Sequence, residues 1–307
     1  MKTIKIISAI MISLLAACGP ANRDGTGDDT GDDDPDPPPP GIPEQCNKMD
    51  IIFVVDDSGS MEEEQTNLAS NFPMFAQLLS NYMTPEGEHI DYRIAVTTTG
   101  RDQDYTVSGL PFPIHEGGAN GKFRSDCGVA KNFLEPTDAN METALACRAN
   151  VGIEGPGIEM PLLMSKWALS ERIMDGTNAG FLRDDALLGI IYLTDENDAS
   201  TTTNNWTFSV ANADPPTNWN PSDQVQFLDA LKGHRSKWAA GVIAADGNCM
   251  SDFGSAVDAA RLKEFVDLAN AGGSTQATFS SICAGDLTAG LQNILNTFQN
   301  ACGNIIL

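Results

Sequence analysis

The stretch IIFVVDDSGSM, residues 51–61, decides how the chain is read. Its first five residues are apolar without a break, the pattern of a strand buried on both faces of a parallel sheet. The strand stops at Asp56. Ser58, Gly59 and Ser60 follow, and then a run that reads as helical, MEEEQTNLASNFPMFAQLL. An acid at the carboxyl end of a strand, two hydroxyls in the turn and a helix start put three oxygen side chains at the mouth of an open α/β sheet. Such sheets bind ligands there. The donor set suits a hard divalent cation, because Mg²⁺ takes oxygen ligands in near-octahedral geometry and keeps some of its waters. Without a ligand, the same residues read as a strand-end acid followed by a capping box between Ser60 and Glu63.

Working outward, DYRIAVTTT at 91–99 reads as a second strand, with a short third at 106–110 joined to it as a hairpin. Residues 158–174 are amphipathic, with Ile158, Leu162, Leu163, Trp167 and Ile173 at helical spacing and Pro161 suited to a first turn. ALLGIIYLTDEND holds another apolar strand, 187–193, ending in Thr194 and Asp195. A helix is expected at 224–231, a strand at 238–245, a helix at 256–271, a strand at 275–281 and a closing helix at 287–298. Strands alternating with helices predict an α/β fold, doubly wound, with a mostly parallel central sheet covered by helices on both faces. The Gly- and Pro-rich segment 111–151 reads as an insertion, and 199–221 as a further polar loop.

The pattern Asp-x-Ser-x-Ser behind an apolar strand, here Asp56, Ser58 and Ser60 followed by Met61, resembles the metal-ion-dependent adhesion site of von Willebrand factor A-type domains. In that family a neighbouring strand ending in Thr-Asp supplies a second acid, and IIYLTDEND places Asp195 there. LTDEND and the closing SSICAGDLTAGLQNIL are also similar to bacterial lipoproteins carrying such a domain. The resemblance covers roughly residues 48–300. It implies one antiparallel edge strand, matched by 106–110, and a divalent cation, Mg²⁺ first and Mn²⁺ or Ca²⁺ next, held by Asp56, Ser58, Ser60 and Asp195. It also implies an open metal position that accepts a carboxylate from a partner's Asp or Glu. One element departs: the loop NVGIEGPGIEMPL carries no Thr or Ser where the family has a metal-binding Thr. Gly152 or Ile153 stands at that place, with Glu154 as a substitute ligand. Asp198 is a candidate for a second cation site, although the rim acids Asp57, Glu196 and Asp198 read first as solvated surface.

The 307 residues suffice for one large domain with appendages. Acids outnumber bases 42 to 18, for a net charge of −24, which argues against nucleic acid as a partner because phosphate binding needs a basic face. Lys2 and Lys5 precede an apolar run too short to span a bilayer, and Leu15-Ala16-Ala17-Cys18 resembles a bacterial lipobox. Residues 1–17 are thus expected to be a signal peptide and Cys18 a lipid carrier. Several acyl chains anchor firmly, and Gly19 points to the outer membrane of a bacterial envelope. Residues 18–45, rich in Asp and Pro, cannot bury a core and read as an extended tether. The acidic excess is not confined to it. Residues 46–307 form the domain.

With Cys18 assigned to lipid, six Cys remain in an exported chain, which suggests disulfides. Of the fifteen pairings, the expected set is Cys46–Cys302, tying the domain's ends, Cys127–Cys147, stapling the insertion, and Cys249–Cys283, joining loops after neighbouring strands. No C-x-x-C spacing supports a thiolate metal site. Enzyme readings fail one by one. Asp57-Ser58-Gly59 resembles an aspartic-protease motif, but that chemistry needs two such carboxylates sharing a proton, and residues 46–307 contain no second D-[ST]-G. His89, His115 and His234 lie in unrelated contexts, Ser58 stands where an Asp-x-Asp phosphatase needs an acid, and Gly152, Gly155 and Gly157 make no phosphate-binding fingerprint. The expected function is a membrane-anchored surface module, not an enzyme, that binds a protein or surface polymer through a divalent cation. The alternative is an envelope-assembly module whose metal site has decayed and whose stapled insertion carries the contacts.

Overall fold

Alternation along the first strand sets the architecture. In the computed structural model β1 (Lys48–Val55) sends Met49, Ile51, Phe53 and Val55 into one apolar layer and Ile52 and Val54 into another, as the two-residue period of a strand demands. Both layers are sealed. The structure describes residues 46–84, 87–209, 215–251, 254–285 and 287–305, without the side chains of 66–70. The signal segment, Cys18 and the tether lie outside the described residues. Among the described residues no helix is long and apolar enough to cross a membrane.

The central sheet has five strands in the order β10-β7-β5-β1-β2, with β2 at Asp91–Thr98, β5 at Leu187–Leu193, β7 at Trp238–Ala244 and β10 at Ala277–Ser281. All its pairings are parallel. On one face lie α1 (Glu62–Ser80), α2 (Met141–Ala149) and α7 (Thr288–Gly303). On the other lie α3 (Pro161–Leu169), α5 (Pro221–Lys232) and α6 (Ala260–Ala269). The short α4 (Glu171–Met174) follows α3 after a break at Ser170, so the amphipathic stretch from residue 158 is two helices and not one. Phe53 meets Phe72 and Phe75 edge-on at 5.1 and 5.2 Å, a geometry that ring quadrupoles favour. The α7 helix lies close on the sheet because β5 and β7 carry Gly189 and Gly241 beneath Phe298 and Ile294.

The antiparallel pairing expected at the edge of the central sheet lies in a separate sheet. After Thr98 the chain turns away, and β3 (Gln103–Val107) pairs antiparallel with β4 (Ile114–Glu116) and parallel with β6 (Trp206–Phe208) from the distant polar loop. Tyr105, Trp206 and Phe208 pack together there. The helix expected from Ala256 starts only at Ala260, and Gly254–Ala256 form β9, the partner of β8 (Cys249–Ser251).

Three disulfides join Cys46 to Cys302, Cys127 to Cys147 and Cys249 to Cys283, with Cα separations of 5.2, 5.9 and 6.3 Å. The insertion is also held by Arg148, fully buried, which donates to the carbonyls of Asp126, Val129 and Lys131. At the amino ends of the strands, buried Asp50 accepts from the Arg183 backbone N–H at 2.6 Å and from its Nε at 2.8 Å.

Candidate functional site

The chain leaves β1 through α1 to reach β2 on one side, and later returns as β5 on the other. The carboxyl ends of β1 and β5 therefore flank the point where strand order reverses and the outgoing loops diverge, the place where open α/β sheets form their crevice. Asp56 ends β1, and Thr194 and Asp195 end β5. The two strands are in register as neighbours, Val55 beside Leu193, and the Asp56 N–H still donates to the Leu193 carbonyl at 2.9 Å.

Asp56 is fully buried. Its Oδ1 accepts from the Ser58 N–H at 2.9 Å and more weakly from the Thr99 hydroxyl at 3.4 Å, while Oδ2 accepts from the Thr194 hydroxyl at 2.6 Å. Gln65, on the first helix, donates to the Asp56 carbonyl at 2.7 Å. Ser58 Oγ and Ser60 Oγ are 2.8 Å apart, and Ser60 Oγ donates to Asp195 Oδ1 at 3.2 Å. Two carboxylates and two hydroxyls from adjacent strand tips thus form one connected group. Burial pushes the Asp56 carboxyl up, against the hydrogen bonds from Thr194 and Ser58. Asp195 is pushed up to about 7 by burial and then by Asp56. Asp57, beside them, rises to about 6, again chiefly by burial.

The remaining candidates separate. Glu154 is exposed and does not join the group. Asp198 is buried, but its oxygens accept from the Leu162 N–H at 3.1 Å, the Ser200 hydroxyl at 2.6 Å and Arg261 Nε at 3.2 Å. It holds the first turn of α3 and is neutralised by Arg261. The acid that the loop before α3 turns inward is Glu159, 2 % exposed. Its Oε1 is buried with no hydrogen-bond partner, and its carboxyl is pushed up to about 11 by burial, by Asp56 and by a hydrogen bond with the Glu196 carboxyl. Its backbone is fixed by the Ala199 N–H, which donates to the Glu159 carbonyl at 2.8 Å. Sequence reasoning missed Glu159, and the signal was an acid two residues before the helix-starting Pro161. It missed Thr99 and the role of Thr194 as well, although both stand as hydroxyls at strand ends.

Among the described residues no three acidic, His or Cys side chains converge as a ready-made cage. The group is of another kind, two carboxylates linked through hydroxyls. Asp56, Asp195, Glu159 and Glu196 influence one another electrostatically, and the ion pairs of the described residues serve other acids, Asp50, Asp198 and Asp258 among them. Buried carboxylates without a paired base either hold protons or hold a cation. An all-oxygen donor set of carboxylates and hydroxyls fits a hard dication.

No family model matches the chain, and no curated protein matches it. Solved structures do. Proximal thread matrix protein 1 from the mussel byssus, with a zinc-occupied MIDAS motif, is 11% identical over 82% of this chain and 48% of its own, at a TM-score of 0.43. The pilus adhesin SpaC from Lactobacillus rhamnosus GG is 12% identical over 83% of this chain and 31% of its own, at 0.41. The manganese-loaded TRAP protein of Plasmodium vivax is 10% identical over 81% and 74%, at 0.37. The chain spans about half the length of the mussel proteins it matches.

Proposed function

We propose that this is a von Willebrand factor A-type interaction module, tethered to a bacterial envelope through lipid on Cys18, that binds a protein or surface polymer through a divalent cation. The observation that carries the reading is the connected set Asp56, Ser58, Ser60 and Asp195 at the strand-order switch, its two carboxylates buried and with no basic partner among the described residues. These four residues would hold the cation, with Mg²⁺ the first expectation. Glu159 would stand in for the hydroxyl that the loop before α3 lacks. When bound, the cation supplies positive charge and a coordination position for a partner's oxygen. The protein's part is to fix its donors in advance: the Ser58 N–H and the Thr194 hydroxyl hold the Asp56 carboxylate, and the Ser60 hydroxyl holds Asp195. The proposed role is coordination and not catalysis.

Calorimetric titration of the full chain in detergent with Mg²⁺, Mn²⁺ and Ca²⁺ tests this. Cation uptake that Ser58→Ala combined with Ser60→Ala abolishes supports the reading. An absence of binding at millimolar metal rejects it. The tether is tested separately: labelled palmitate enters the wild type and not Cys18→Ser, and equal labelling of both refutes the anchor.

A further inference from the structure

A cleft of about 600 Å³ opens beside this group, and its lining includes the acids Glu159 and Glu196 and the apolar Ile158, Ala199, Phe208 and Val257. Its other charges are already paired. Arg261 donates through Nε to Asp198 and through Nη2 to the Trp219 carbonyl at 2.6 Å, and Asp258 is bridged by Lys263. Glu159 and Glu196 stand together with no cationic partner among the described residues, and the buried Glu159 Oε1 faces no donor.

The charge count carries the argument, and for it this inference rests on the cation-binding reading. Asp56, Asp195, Glu64, Glu159 and Glu196 act on one another across the group. A dication held by Asp56 and Asp195 balances those two. Glu159 and Glu196 line the cleft outside that pairing, and even with one proton shared between them they leave it a negative charge. A partner that brought only a carboxylate would meet repulsion there. A lysine or arginine side chain meets the reverse: its charged head pairs with the half-buried Glu196 and its methylene stem lies along Ile158, Ala199 and Phe208.

We infer that the partner is a basic protein segment that places a lysine or arginine side chain in the cleft between residues 157–159 and 196–199, beside the cation. The cleft then selects partners by a cationic group next to whatever oxygen completes the metal site. A purely acidic ligand is excluded.

The test uses the full chain in detergent with saturating Mg²⁺ or Ca²⁺ and three dansylated hexapeptides. Each alternates alanine with arginine, with citrulline (the neutral isostere) or with glutamate. Since a charge-assisted hydrogen bond is worth about tenfold or more in affinity, the arginine peptide should bind at least about tenfold more tightly than the citrulline peptide. Glu196→Gln should remove most of that margin. Glu88→Gln, before β2 at the opposite end of the strands, should leave it intact. Equal binding of arginine and citrulline peptides, preference for the glutamate peptide, or an equal loss in both variants, which reports only the net charge of the chain, overturns the inference. Metal titration of the same samples separates the two readings. Cation uptake without arginine preference sinks the cleft assignment alone, and arginine preference without cation uptake sinks the metal reading alone.

Discussion

Replacing Thr194 by Val tests whether Asp56 is held for a cation. The side chain is fully buried, and Val keeps its shape while deleting a hydroxyl that donates to Asp56 Oδ2 at 2.6 Å and accepts from the Glu196 N–H at 3.1 Å. Without metal, the change removes a charge-assisted bond and orphans a partly buried N–H, for a combined loss of about 3 kcal/mol. In a domain of this size that lowers the melting temperature by roughly 6–12 °C. With a cation on Asp56, the carboxylate regains its compensation from the metal, and the loss should shrink to about 1 kcal/mol. Thr99→Val is the graded control, because its hydroxyl is 3.4 Å from Asp56 Oδ1 and should cost under about 1 kcal/mol. Thermal melts by circular dichroism at pH 8, with chelator and with saturating Mg²⁺ or Ca²⁺, read all of these. A Thr194→Val loss of the same size in both conditions would refute the reasoning, since the cation would then not reach Asp56.

Three further outcomes follow from the same structure. In Gly241→Ala the new Cβ would lie 2.3 Å from Ile294 Cγ1, so α7 must shift at about 1–3 kcal/mol. Denaturant melts should show Ile294→Val restoring part of that loss, and a strictly additive double variant would deny the contact. Arg183→Met leaves the buried Asp50 carboxylate with only a backbone donor and should cost about 3 kcal/mol. Asp50→Asn in the same chain should recover part of it. In the metal-free protein, Asp195 at about 7 and Glu159 at about 11 bind protons more tightly folded than unfolded. Stability is therefore lost as pH rises from about 4 through 7 and beyond. The metal-free melting temperature should climb from pH 8 to pH 5, and the trend should flatten or reverse with metal. A metal-free melting temperature that falls over that interval removes the buried-acid argument.

The parts of the fold legible in the sequence were those in which burial is continuous. β1 and β5 are unbroken apolar runs because both faces of their sheet are covered, and their ends could be read because polarity changes abruptly at Asp56 and Thr194. What stayed hidden depends on distant pairing or inverted polarity. β3 and β6 each lack a strand-length apolar pattern and meet only through residues about a hundred apart. α2 carries Met141, Ala144, Leu145 and Arg148 on its buried face, and an arginine there reads as solvent until its carbonyl partners are seen. Glu159 is the same case at the site. The nearest acid to Gly152 in sequence is Glu154, but the tight loop that seats Gly155 against Asp57 carries Glu159 inward instead. The site pair Asp56 and Asp195 could be placed from strand ends alone, whereas the acid completing the group required the path of the loop.

The distribution of positive charge gives the site its meaning. A chain with 42 acids and 18 bases cannot pair every carboxylate, and unpaired acids ordinarily stay in water. Here bases stand beside structural acids: Arg183 between Asp50 and Asp91, Arg261 on Asp198, and Arg235 on Asp229. At the carboxyl ends of β1 and β5 the fold does the opposite. It buries Asp56, Asp195 and Glu159, and supplies hydroxyls and N–H groups where a salt bridge would have closed the site. Hydroxyls orient a carboxyl group without supplying positive charge, so its oxygens remain available to an external cation that displaces the protons burial favours. If stability alone had shaped this corner, a lysine or an apolar replacement would serve it better, because unpaired buried charge costs several kcal/mol. The cost is understandable if the missing positive charge comes from outside the chain, first as a metal ion and then as a basic group on the partner.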